Sequence, residues 1–206
     1  MPDSDPAVFN PAAYGPEVAR VLEMDGGGQR LMPLACAECT NAPARHALLK
    51  TIGKTMDTAR LFPKVKDPAA AAAGLWLYFS CFEEAHELVS ESETPECELW
   101  HAILHRREPD SGNAAYWFRK VGTHPTFSPT ARAADEIVRR LPDAEFRLGK
   151  WDPFAFIAFC ERAREQPGST QEVAAMEIQR AEWQILFDYC ARPISAVTSG
   201  AAKGQR

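Results

Sequence analysis

Apolar residues recur at helical intervals through most of this chain. Near its end, Val173, Met176, Ile178, Ala181, Trp183, Leu186 and Tyr189 fall on one helical stripe. The run "AAAAAGLWLYFSCF", Ala69 to Phe82, is apolar on every side, which predicts a helix buried all round. It is shorter than the ~20 residues that cross a bilayer. No stretch alternates polar and apolar positions well enough to predict a strand. The expected class is all-α, a single-domain bundle of about six to eight helices.

Start signals sharpen the helix boundaries. A short oxygen-bearing side chain followed by proline occurs at Asp67-Pro68, Thr94-Pro95, Ser128-Pro129 and Asp152-Pro153. The oxygen accepts a free amide of the first turn, and proline there sacrifices no hydrogen bond. Ser169 and Glu172 fit a capping box. Helices are expected over 68–91, 95–107, 114–121, 129–140, 153–165 and 170–191, with earlier ones near 15–23 and 43–58. The domain reading is an irregular segment over 1–42 with a short helix, a helical domain over 43–191, and a disordered tail over 192–206.

Composition narrows the function classes. Hydrophobic residues at 46% and charged residues at 25% are ordinary globular values. A net charge of -5 disfavours nucleic acid as a partner, since that requires a basic face. The first residues, "MPDSDPAVFNP", show no basic region followed by an apolar one, so the expected location is cytoplasmic, with no membrane partner. Six cysteines in that setting are expected as reduced thiols, with Cys36 and Cys39 on one turn of helix as small apolar side chains. No glycine-rich phosphate loop, dinucleotide fingerprint or nucleophile elbow is present.

The stretch "HAILHRREPDSGNAAYWFRKVGTHP", His101 to Pro125, holds three of the five histidines and three arginines. Two helices meet at Ser92-Glu93-Thr94, and so short a turn makes them antiparallel neighbours. His86 lies seven residues before Glu93, and His101 seven after Thr94. At about 1.5 Å per residue both stand at one height. Glu83 shares the face of His86, and His105 that of His101. Glu83, His86, His101 and His105 thus converge between two helices, a set that suits Zn, Fe or Mn, and the facing rings should bring their nitrogens within about 6 Å. Glu84, Glu108 and Asp110 are available to orient the imidazoles. Glu98-x-x-His101 beside Glu83-x-x-His86 has the form of a di-iron motif, but the separation is too short for that topology. The bland alternative is a buried polar network that only fixes packing.

Beyond the histidines, Pro109 ends a helix and Asn113 is placed to cap the next. Arg106, Arg107 and Arg119 are the expected surround of an anionic group, with Asn113, Tyr116 and Trp117 lining it. His105 or His124 is the expected general base, tuned by Glu108 or Asp110. Arg107 shares the stripe of Trp100, Ile103 and Leu104, which predicts a buried guanidinium in need of a partner.

The segments "GLWLYFSCFEEAH", "TPECELWHAILHRREPDSGNAAYWFRKVGTHP", "WDPFAFIAFCERA" and "EWQILFDYC" resemble a family of bacterial and fungal proteins. Its signature is Trp-His…His-Arg-Arg-Glu-x-Asp…Asn-x-x-Tyr-Trp…Gly-x-His-Pro. The resemblance covers roughly 60–190. It implies no activity, and marks Trp100, His101, His105, Arg106, Arg107, Glu108, Asp110, Asn113, Tyr116, Trp117, Arg119 and His124. The chain departs from the pattern at Cys97 and Glu98, where the family has small residues, and at Ala85, where it has Ser. The resulting expectation is a small-molecule protein with a His/Arg-rich pocket for an anionic ligand, metal-dependent, of hydrolase or lyase type. Its rival is a non-catalytic helical module.

Overall fold

The computed structural model describes residues 9–36, 38–52, 57–147 and 149–194. Nine α-helices and no strand occur among them: α1 Pro16–Glu23, α2 Ala42–Ile52, α3 Pro68–Tyr78, α4 Phe82–Ser90, α5 Pro95–Arg107, α6 Ser111–Val121, α7 Phe127–Arg140, α8 Pro153–Arg164 and α9 Thr170–Ala191. The class is all-α, as the apolar periodicity predicts. None of these helices is long and apolar enough to cross a membrane.

Four of the expected caps act as the physics requires. Asp67 accepts from the amide of Ala70, Thr94 from Cys97, Asp152 from Phe154 and Ala155, and Ser169 from Glu172. Two starts differ from expectation. α6 begins at Ser111, because Asp110 and not Asn113 is the cap, its carboxylate accepting from the Asn113 amide. α7 begins at Phe127 with no side-chain cap, ahead of Ser128-Pro129. Towards the N-terminus, α2 stops at Ile52, and 53–56 of the expected 43–58 helix lie outside the described residues.

The expected single helix over 68–91 is two. Its first half, α3, is buried from Ala70 to Tyr78 and forms the centre of the bundle. Gly74 allows this: a Cβ there would meet Trp100 at 2.5 Å, and its carbonyl accepts from Trp183 Nε1 at 2.7 Å. The break falls at Phe79–Cys81, where Ser80 is left-handed with φ 58°. Carbonyls freed at the end of α3 find donors from elsewhere in the chain. Arg107 donates to Leu77, Arg30 to Tyr78, and Thr40 to Phe79 through both its amide and hydroxyl. Two cations at a helix C-terminus also oppose the negative end of its dipole.

Two apolar clusters make up the core. The larger joins α1 to α6 with the C-terminal half of α9, and the smaller joins α7, α8 and the N-terminal half of α9. Arg106 stands at their boundary, 1% exposed, paired through both Nη atoms with Glu182 of α9 and lying 4.5 Å over the Phe156 ring. The segment over 9–36 is not a loose appendage: Val18, Val21, Leu22 and Met32 belong to the larger cluster. Gln179 and Gln184 donate to the carbonyls of Met32, Pro33 and Gly28. The expected tail begins at Arg192, which pairs with Asp188, and residues 195–206 lie outside the described residues.

Cys36 and Cys39 are not on a helix. Cys39 is joined to Cys81 by a disulfide, which corrects the expectation of six reduced thiols.

Removing one member of a fully buried ion pair leaves an uncompensated charge in the core. Arg106→Ala is expected to lower unfolding stability by about 3–5 kcal/mol in urea melts, whereas the apolar pair Arg106→Met with Glu182→Leu recovers most of the loss. A double variant as weak as the single one would mean that the ion pair itself is needed for this packing.

Candidate metal centre

The α4–α5 hairpin positions the site. Residues 91–94 link the two helices and bring His86 against His101, with their Nε2 atoms 3.1 Å apart. His105 follows one turn along α5, its ring 4.8 Å from that of His101 and nearly parallel. One ligand atom from each of His86, His101 and His105 lies within 4.8 Å of the others. The facing stripes expected from spacing alone are therefore present. His101 and His105 are buried, at 4% and 7% exposure, and His86 stands on the outer side.

Each ring is held differently. His105 Nδ1 lies 2.9 Å from a Glu108 oxygen, and its Nε2 lies 3.0 Å from the Asn113 amide nitrogen. These partners select one tautomer: Nδ1–H donates to Glu108, and Nε2 accepts from Asn113. His101 is stacked on Trp117 at 3.9 Å between centroids, and Lys120 lies over the same indole at 4.5 Å, itself paired with Glu98 at 2.8 Å. The Nδ1 of His101 is buried without a hydrogen-bond partner. His86 Nδ1 meets the Ser90 hydroxyl at 3.4 Å.

Other residues of the expected set lie elsewhere. Glu83 is exposed and outside the imidazole group, so the cluster is three histidines without a carboxylate. Glu84, one of the possible orienting acids, pairs with Arg45. Asp110 spends one oxygen on the α6 cap. His124 does not join the triad. It is buried against Tyr189 and Phe127, with Nδ1 2.7 Å from the Thr126 hydroxyl. The arginine-lined anion pocket is also not formed. Arg106 and Arg107 turn into the core, because α5 is enclosed on every side and the guanidinium groups serve Glu182 and the end of α3. Arg107 donates to the Leu77 carbonyl and the Ser80 hydroxyl and has no carboxylate partner among the described residues. Burial, with Arg30 and Arg106 nearby, pulls it down to about 9. Arg119 is exposed over Phe154, and Tyr116 is 52% exposed.

A cavity of about 1090 Å³ adjoins the triad through His86. Its walls are Ala35, Cys36, Phe82, Glu83, His86, Glu87, Glu108, Pro109 and Asp110. Four of these side chains are carboxylates, and none is lysine or arginine. Sequence reasoning missed Cys36 and Glu87 as wall residues. Glu87 follows Glu83 by four positions on α4 and was readable from helical spacing, whereas Cys36 reaches the cavity through a long-range backbone bond from its amide to the Arg107 carbonyl.

No family model, curated protein or solved structure matches the chain. The structure divides the residues of the 100–125 stretch between two uses. His101, His105, Glu108, Asn113 and Trp117 gather at the triad, while Arg106 and Arg107 hold the fold.

Burial holds His101 down at about 3, with His105, His86 and Lys120 adding to the effect. Burial also lowers His105, against the opposing pull of Glu108. Both rings are neutral in the folded protein at pH 7, and unfolding frees them to take up protons below about 6.5. The contribution of His101 to stability is therefore complete above about 6.5 and is lost as pH falls from there towards about 3, and that of His105 falls in the same direction. The melting midpoint should drop between pH 7 and pH 5, and His101→Asn should flatten that slope. A wild-type midpoint constant across this window would contradict neutral buried imidazoles.

Proposed function

We propose that His86, His101 and His105 form a divalent transition-metal centre of an enzyme of hydrolase or lyase type, acting on a small ligand in the adjoining cavity. The observation that carries this reading is the convergence of three imidazoles from two helices, two of them 3.1 Å apart. Two nitrogens bound to one zinc at about 2.0–2.1 Å in tetrahedral geometry stand roughly 3.3 Å apart. His86 and His101 are already at that spacing, and His105, whose ligand atom lies within 4.8 Å of theirs, needs a shift of up to about 1.5 Å to join them. Neutral imidazole is the ligand form for zinc, iron or manganese, and burial keeps His101 and His105 in it.

Surrounding groups fit the same role. Glu108 accepts the second N–H of His105, the carboxylate–histidine arrangement that orients metal-binding imidazoles. Asn113 holds His105 Nε2 and must release it to a metal. Three protein ligands leave coordination positions open, and His86 sets them beside the cavity. A metal there supplies Lewis-acid polarisation of a bound water or carbonyl oxygen. Glu83, Glu87 and Asp110 on the wall offer acceptors for the proton such a step releases. This wall suits a neutral or positively charged ligand better than the anion expected from the arginines.

Equilibrium dialysis and metal analysis of the purified chain test the proposal. One equivalent of zinc or cobalt should bind, with cobalt giving the visible absorption of a nitrogen-ligated ion. His101→Ala should reduce affinity by at least about 100-fold. Absence of binding in the wild type, with the fold intact, would favour the rival reading, in which the imidazoles are a packing network.

A further inference from the structure

Chemistry at the cavity wall extends beyond the imidazoles. Cys36 lines the cavity, beside Phe82 and Glu83. Cys39, separated from it by two residues, is bonded to Cys81, the residue immediately before Phe82. The other three thiols are out of play: Cys97, Cys160 and Cys190 are buried, and burial pushes them up, Cys97 and Cys160 to about 11. We propose that Cys36, Cys39 and Cys81 form a thiol–disulfide exchange site, with Cys36 as the group that meets small thiol or dithiol substrates through the cavity.

Placement supports the division of roles. Cys81 is 1% exposed and is not part of the cavity wall, so an incoming thiol does not meet it from that side. Cys36 is half-buried and held in position by two contacts. Its amide donates to the Arg107 carbonyl at 3.3 Å, and its thiol donates to the Glu38 carbonyl at 3.1 Å. The Cys-x-x-Cys spacing lets the two sulfurs of one short loop bond without moving the helices.

The exchange step balances without an outside oxidant. Cys36 gives up its proton, and the thiolate attacks Cys39 Sγ along the axis of the existing bond. A Cys36–Cys39 bond forms and the Cys39–Cys81 bond breaks. Its electron pair leaves on the Cys81 sulfur, which takes up a proton. An external dithiol then reduces Cys36–Cys39 from the cavity, giving two thiols on the protein and one disulfide on the reductant. None of this requires metal on the histidines.

Disulfide mapping by mass spectrometry tests the site, on full-length protein purified without reductant and quenched with N-ethylmaleimide. The wild type should yield both Cys39–Cys81 and Cys36–Cys39 peptides. Cys36→Ser should yield Cys39–Cys81 alone, and dithiothreitol should reduce that bond about tenfold more slowly than in the wild type. Cys81→Ser should leave Cys36–Cys39 as the one bond. Alkylation of Cys36 in the folded wild type should slow reduction by the same factor, which separates a role of the sulfur from any folding defect of the variant. Equal reduction rates with and without the Cys36 thiol, or the absence of a Cys39–Cys81 bond from the wild type, would overturn the proposal.

Discussion

The fold turns on two adjacent guanidinium groups buried in one helix. Arg106 and Arg107 of α5 point about 100° apart, so they reach different neighbours. Arg106 crosses to Glu182 and ties the two apolar clusters at the middle of α9. Arg107 reaches the end of α3 and holds the Leu77 carbonyl and the Ser80 hydroxyl at the break before α4. Together they fix α5 relative to α3 and α9. Since α4 follows directly from that break, Arg107 also sets where α4 starts. The relation between α4 and α5 is what brings His86 onto His101.

This arrangement explains why a helix so rich in charge can be enclosed. Every residue of α5 from Leu99 to Arg107 is buried. A helix normally shows a polar side to water, but here each polar side chain has an internal use. His101 and His105 face α4 and α6, Arg106 faces α9, and Arg107 faces the end of α3. Burying charge without partners costs several kcal/mol per group, so the enclosure holds only while all of these contacts form together. The imidazoles contribute by remaining neutral.

Much of this was legible in the sequence, and the reason is local. Asp67, Thr94, Asp152 and Ser169 announce their helices because capping is a contact between residues two or three apart. The height of His86 against His101 follows from a short turn and a constant rise, so spacing alone brought three imidazoles together. What was not legible depends on distant residues. The break at Ser80 is stabilised by Arg30, Thr40 and Arg107, which local periodicity does not connect to it. The arginines suggest an anion pocket in sequence because the residue type carries no record of direction. Glu182, some 76 positions away, decided where Arg106 went. Glu83 failed as a ligand for a subtler reason: one helical face is wide enough to hold His86 against its neighbour while the carboxylate one turn earlier stays in solvent.

Charge then separates two halves of the same region. The arginines neutralise the inside of the bundle, leaving the cavity wall to Glu83, Glu87, Glu108 and Asp110. At the triad, Glu108 is the carboxylate in contact with an imidazole, through His105 Nδ1. The wall carboxylates lower the potential at the mouth of the cavity. An anionic ligand would have to cross that field to reach the imidazoles, whereas a neutral or cationic one would not. The direction in which Arg106 and Arg107 turn, settled by packing far from the cavity, thereby leaves the cavity wall acidic.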